Sequence, residues 1–516
     1  MRLLVCMMLV FSATLTVAQV KWQGKIPPKC EFRAAWIATV SNIDFPSRKG
    51  LLADSQRLEF QAILDTLKQC GINAVVVQIR PAADAFYPSP HEPWSEWLTG
   101  TQGKAPEPYY DVLAFMIESA HQRNLEFHAW FNPYRAVFDV ESASLAPDHI
   151  TVLKPEWFFQ YGKKKYFNPG LPEVRHYITE LIADVVRRYD IDAVHFDDYF
   201  YPYHIPNEPF CADSATFRQY PNGFTSIEDW RRHNVDLLIE AVHQKILSIK
   251  PKVKFGISPF AVWRNRKDDK AGSATSAGQP TYDYLYADVR KWLKKGWIDY
   301  VAPQLYFAIG FTRVPYEVMV AWWSRNSFGR HLYIGQAAYR IGQDSLWKNP
   351  SELPNQLRLN RANSTVKGSI YFSTRSLLKN PLGILDTLKH DFYCTPALIP
   401  PMPWKDRVPP RPPKNLTVTS SDTGITLTWQ KPQPAQDKDT AAYFVVYRFG
   451  LKQRLALYDP RCMVAVVRDT VWHSRSTDAG KYAVTAVDRW HNESQPVQVI
   501  GPRQTVRRAE ATSRPR

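Results

Sequence analysis

Between residues 31 and 391 the apolar positions of the chain alternate between two rhythms. EFRAAWIATV (31–40), NAVVVQIR (73–80), LEFHAWFNP (125–133), DAVHFDDYF (192–200), KFGISPF (254–260), IDYVAPQLYF (298–307), HLYIGQAAY (331–339) and GSIYFST (368–374) are short, near-continuous apolar runs rich in β-branched and aromatic residues. Such runs read as strands buried on both faces, as in parallel sheets. Helical spacing separates them. It covers 54–70, where Leu58, Ile63, Leu64 and Leu67 share a side, then 110–124, from Pro172 to about 189, 227–250, 283–295, 315–327, 351–363 and 376–391. Strict strand–helix alternation fits either a doubly wound sheet or a closed barrel. Eight units within residues 29–395 favour a (β/α)8 TIM barrel, and no GxGxxG follows the first strand to suggest a dinucleotide-binding sheet.

The rhythm then breaks. Residues 396–413 include PPMPWKDRVPPRPP, a proline-rich stretch that reads as a stiff linker. Over 414–502 the apolar period becomes two, with turn residues between short runs such as GITLTW, YFVVYRF and KYAVTAV. This predicts an all-β, immunoglobulin-like sandwich. Residues 503–516 form a basic tail. At the other end, Arg2 precedes an apolar run from Leu3 to Val17, and Thr16-Val17-Ala18 offers the small residues a signal peptidase reads. Residues 1–18 are therefore expected to be a signal peptide, and the protein to be exported to the periplasm or cell envelope. Cys6 sits too early, after the wrong-sized Val5, for a lipoprotein, and no other run is long enough to span a bilayer.

Five cysteines follow the signal: Cys30, Cys70, Cys211, Cys394 and Cys462. Their number and spacing suit neither a disulfide framework nor a zinc site, although Cys30 and Cys394 flank the barrel and meet if its ends are close. The net charge of +16 is spread along the chain. No helix-turn-helix, zinc finger or RNA-binding motif accompanies it, so nucleic acid is not the expected partner and solvated faces account for most of the excess.

A barrel of this kind places its chemistry at the C-terminal ends of its strands. Those ends, with their loops, supply Arg80, Asp84, Glu92, Trp94 and Glu96; His128, Trp130, Asn132 and Arg135; Asp197, Asp198, Tyr199 and Tyr201; and Gln304 and Tyr306. Aromatic rings stack on sugar faces, while amides and arginine bind hydroxyl and acetamido groups. No three-histidine cluster and no GxSxG is present, so neither a metal, a cofactor nor a serine nucleophile is expected. Paired carboxylates remain, the equipment of glycoside hydrolysis. Asp197 and Asp198 are the leading candidates, with Asp84 or a second-loop glutamate as partner. Strand alternation turns only one of two neighbouring aspartates into a pocket unless the strand has already bent; otherwise the second caps the following turn. Trp94 and Glu96 suggest a sugar-stacking lip, and His128 an orienting or core role.

EFRAAWIATVSNIDFPS, QIRPAADAFYPSPHEPWSEWLTG, HAWFNPYR, HFDDYFYP and DYVAPQLYF together resemble the glycosyl-hydrolase-like family 10. The resemblance implies an exported bacterial (β/α)8 hydrolase and, for some relatives, cleavage of peptidoglycan glycan strands stripped of their peptides. It places Asp197 and Asp198 on the family's aspartate-rich fourth-strand motif without fixing their roles. The terminal sandwich resembles a fibronectin type III domain through its Pro-x-x-Pro lead, Trp429 and the Tyr482 strand. A glycan-binding envelope protein without activity, or a glycosidase for another polysaccharide, are the alternatives.

Overall fold

The structure, a computed structural model, describes residues 26–143, 145–475 and 480–501. The expected signal segment 1–18 and basic tail 503–516 lie outside the described residues. Eight parallel strands close into a barrel: β1 (Phe32–Ile37), β2 (Ala74–Arg80), β3 (Glu126–Phe131), β4 (Ala193–Phe196), β5 (Lys254–Ile257), β6 (Tyr300–Val301), β7 (His331–Ala337) and β8 (Val366–Phe372). Each pairs with the next, and β8 returns to β1 with Phe32 opposite Gly368. Every residue of β1 and of β2 is buried, because the barrel lumen covers one face and the helices the other. The outer layer comprises α1 (Ala53–Gln69), α2 (Val112–Gln122), α3 (Pro172–Arg188), α4 (Ile227–Ile249), α5 (Val289–Lys295), α6 (Tyr316–Arg325), α7 (Glu352–Ala362) and α8 (Thr374–Leu378).

Some expectations shift in detail. On α1, Phe60, Leu64 and Leu67 face the core, while Leu58 is exposed. The sixth strand is two residues long rather than ten, because Pro303 has no N–H for a ladder and Gln304 makes only isolated bridges to Phe260 and Gly335. The eighth helix stops at Leu378, and a new turn begins at Ile384 beyond Pro381. Residues 134–171, which carry no clear periodicity, hold a three-stranded antiparallel sheet of Arg135–Val137, Phe158–Tyr161 and Lys164–Phe167.

The lumen is filled by large rings and needs one small residue to admit them. A Cβ on Gly256 of β5 would lie 1.9 Å from the Tyr300 ring, so only glycine fits. That ring is fixed by its hydroxyl, which lies 3.0 Å from His195 Nδ1 and 2.8 Å from His128 Nδ1.

The C-terminal part is a sandwich of sheets β9-β10-β13 and β12-β11-β14-β15, built from β9 (Lys414–Ser421), β10 (Gly424–Gln430), β11 (Tyr443–Phe449), β12 (Met463–Val467), β13 (Val471–Ser474), β14 (Lys481–Val487) and β15 (Val497–Ile500). It sits against the N-terminal face of the barrel. Trp490 is buried with Ile399 and Met402 in the cluster that lines the lumen. His491 Nε2 lies 2.9 Å from Glu126 Oε1, and the same carboxylate pairs with Lys254, both at the starts of barrel strands. Arg489 reaches Asp190 at 2.6 Å. The proline-rich segment is seated too: Glu31 N donates to Leu398 O at 2.8 Å, and Lys405 pairs with Asp299 at 3.0 Å. It is thus held along the barrel floor rather than spacing two bodies apart. Cys30 and Cys394 are both free thiols, so the flanking bridge is not formed. No helix among the described residues is long and apolar enough to cross a membrane.

Candidate active site

At the C-terminal end of the barrel a cavity of about 490 Å3 opens over the lumen. Its wall is largely aromatic: Trp36 from β1, Trp130 from β3, Tyr199 and Tyr203 from the segment after β4, Tyr306 after β6, Tyr339 after β7 and Phe372 from β8. Among the described residues, Asp197 and Asp198 are the two carboxylates that line it. Regular strand geometry ends at Phe196, and Phe200 N donates to Asp198 O at 3.0 Å, so the chain has already turned. His195 therefore stays in the lumen, where Trp36 Nε1 donates to its Nε2 at 3.2 Å, while both aspartates reach the cavity.

The two carboxyls are held by different neighbours. Asp197 Oδ2 accepts from Trp130 Nε1 at 3.1 Å and from Asn132 Nδ2 at 3.0 Å, both on the β3 side. Asp198 Oδ2 accepts the Tyr203 hydroxyl, and Gln304 on the β6 side adds a further donor. Burial, and then the adjacent charge of Asp198, push Asp197 up to about 7. Burial also raises Asp198, opposed by the hydrogen bonds from Tyr203 and Gln304. Two like charges this close do not both ionise freely, so near neutral pH one proton resides mainly on Asp197. The pair thus offers a proton donor beside a carboxylate in a ring-lined cavity. His195 is pushed well below its ordinary value by burial and stays neutral.

Trp130, Arg135, Tyr199, Gln304 and Tyr306 join the aspartates in the wall, and Asn132 supports Asp197. The remaining sequence candidates lie elsewhere. Arg80 and Glu92 form a buried ion pair at 2.5 Å, and Arg80 also donates to Asn132 O, so both brace the loop after β2. Asp84 is buried among its own loop, accepting from Ala82 N at 3.2 Å, and burial pushes it up to about 7 away from the cavity. Trp94 borders a separate cleft with Pro88, Pro93 and Arg188. Glu96 pairs with Lys49. His128 lies in the lumen between Tyr300 and Glu126. Tyr201, expected to wall the pocket, is buried beside Tyr286 with its hydroxyl 3.3 Å from Asp213.

Trp36, Gln78, Phe138, Tyr203 and Phe372 line the cavity without having been singled out from the sequence. For Trp36 a signal existed, since it alternates with Ala34 and Ala38, which lie in the same lumen cluster. Gln78 shares a face of β2 with Val76, and its Oε1 accepts from Val40 N at 2.9 Å. Phe138 and Tyr203 sit in connecting segments where no periodicity points to them.

The sequence model described as Glycosyl hydrolase-like 10 matches residues 31–350. "Glycosyl hydrolase YngK" of Bacillus subtilis (strain 168) is 49% identical over 475 residues, spanning 90% of this chain and 92% of the relative. "Glycosyl hydrolase DigH" of Escherichia coli (strain K12) is 39% identical over 365 residues, 66% of this chain and 82% of the relative. Among solved structures, alpha-L-fucosidase isoenzyme 2 from Paenibacillus thiaminolyticus aligns with a TM-score of 0.45 and 14% identity, covering 70% of this chain and 50% of that one. The catalytic domain of beta-amylase from Paenibacillus polymyxa aligns with a TM-score of 0.45 and 11% identity, covering 72% and 99%.

Proposed function

Because this chain belongs to the glycosyl hydrolase-like 10 family and is a glycoside hydrolase, we propose that it cleaves a glycan built of N-acetylated sugars, with peptidoglycan glycan strands as the favoured substrate. The observation that carries the catalytic part is the adjacent pair Asp197–Asp198, the two carboxylates in the wall of the aromatic cavity, of which one is pushed up to about 7. Asp197 donates its proton to the departing glycosidic oxygen. Asp198, steadied by Tyr203 and Gln304, remains ionised and stabilises the positive charge that develops at the anomeric carbon, to which a water molecule adds, its proton returning to Asp197. Trp130, Asn132 and Tyr203 orient the pair, and the surrounding rings supply flat faces for sugar units.

The finer substrate assignment is supported by the amide, arginine and aromatic lining, which suits acetamido-bearing sugars. Export is part of the proposal, supported by Arg2, the apolar run to Val17 and the Thr16-Val17-Ala18 site. The test is incubation of the purified protein with peptide-free glycan strands and, separately, with a panel of other polysaccharides, reading products by mass spectrometry. New reducing ends from the N-acetylated strands, lost in Asp197→Asn and Asp198→Asn, are expected. Products from another polysaccharide alone would refute the substrate, and none from any would refute the activity.

A further inference from the structure

The small sheet between β3 and α3 brings one cation, Arg135, into the cavity wall and a second, Lys164, against Phe138 of that wall. Arg135 lines the cavity yet is only 4% exposed. Its Nε donates to Pro81 O at 3.0 Å, while Nη1 and Nη2 make no hydrogen bond or ion pair with another described residue. Its guanidinium lies 5.2 Å from the centroid of the Tyr199 ring and 5.4 Å from that of Phe138. Lys164 stands 5.3 Å from the centroid of the same Phe138 ring, also without an ion-pair partner among the described residues. Burial and the charge of Arg135 both push the Lys164 ammonium down.

Two unneutralised cations beside one ring repel each other, and a positive charge near a centre acquiring oxocarbenium character opposes the reaction. Arg135 forms no ion pair with Asp197 or Asp198, so neutralising them does not account for its place, although its charge is felt at both. A planar guanidinium with two open donors matches a carboxylate in bidentate geometry. We propose that Arg135, assisted by Lys164, forms an anion subsite that binds a free carboxylate carried by the substrate, such as the lactyl ether acid of an N-acetylmuramic unit with no peptide attached. This rests on the N-acetylated glycan reading above and names the group on that glycan which the enzyme reads.

The experiment leaves the protein intact and changes the substrate. Steady-state cleavage by the wild type is compared on glycan strands with free lactyl acids and on the same strands converted to primary amides. Amidation is expected to raise KM roughly 10- to 100-fold, the fold-change for losing a charge-assisted hydrogen-bond pair, with kcat nearly constant. R135Q is expected to raise KM for the free acid to that level and to gain no further loss on amidation. K164M, at a half-buried position, moves the same way by less. Equal KM for acid and amide in the wild type overturns the subsite. So does an R135Q defect that is the same on both substrates and shifts the pH–rate profile, since Arg135 then acts on the aspartates. Equilibrium binding of both strands to D197N needs no turnover and separates the two failures. A preference for the acid without wild-type cleavage keeps the subsite and sinks the hydrolytic reading of this glycan. Equal binding sinks the subsite alone.

Discussion

Asp197→Asn should make the protein inactive and, at alkaline pH, more stable. The side chains are nearly the same size, and the Asn carbonyl accepts the bonds from Trp130 Nε1 and Asn132 Nδ2 that Oδ2 accepts now, so the cavity is kept. What disappears is a buried charge. The native protein raises Asp197 from 3.8 to about 7, so it binds this proton more readily than the unfolded chain does. The wild type therefore loses stability as pH rises from about 4 to about 7, and above that range bears the whole cost. At 1.36 kcal/mol per pH unit the cost is about 4 kcal/mol, an upper value since Asp198 relaxes as well. D197N removes it. Urea unfolding at pH 8 should show the variant more stable by up to about 4 kcal/mol, and at pH 4 the two proteins should coincide. In parallel, release of reducing ends should fall by roughly 10²- to 10⁴-fold, the usual contribution of a general acid. A variant no more stable at pH 8, or one with the same gain at both pH values, would refute the assignment of the proton to Asp197.

The wild-type kcat/KM profile should fall on its alkaline side near pH 7, where Asp197 gives up its proton, and D197N should lack that limb; a wild-type rate that is level through pH 9 contradicts it. Asp84→Asn should leave kcat within a few-fold of wild type, because Asp84 is enclosed by its own loop, and a loss as large as that of D197N would return it to the catalytic pair. Gly256→Ala should destabilise by at least about 1–3 kcal/mol in thermal or urea unfolding, since the added methyl meets a Tyr300 ring anchored by two histidines; an unchanged transition would show that the ring can move.

Much of the barrel was legible because buried parallel strands are written as local apolar runs. Seven of the eight lie within the segments read as strands; the eighth begins two residues earlier, at Val366, and the sixth fell short because Pro303 cannot join a ladder. The strand-end rule likewise located Asp197, Asp198, Trp130 and Tyr306. It misled for the loop after β2, where Arg80 and Glu92 pair with each other across twelve residues and draw the loop into the fold instead of over the cavity. Sequence spacing does not record which charges neutralise one another. Tyr201 failed for a different reason: it follows the strand end closely in sequence, but regular strand geometry stops at Phe196 and the turn beyond carries Tyr201 into the core. The sheet of 135–167 was illegible because its strands are only three or four residues long, too short to display a period.

The contact between Glu126, Lys254 and His491 bears on how this architecture can be inherited. A module joined by a tether can be exchanged for another with little consequence. Here the sandwich contributes a tryptophan and a histidine to the underside of the barrel, so a foreign module spliced at the proline-rich segment would leave an acid and an amine facing an unfilled gap. Recombination at the apparent seam would need a replacement that brings its own matching loop. Two parts that look separable along the chain are, at this interface, a single heritable unit.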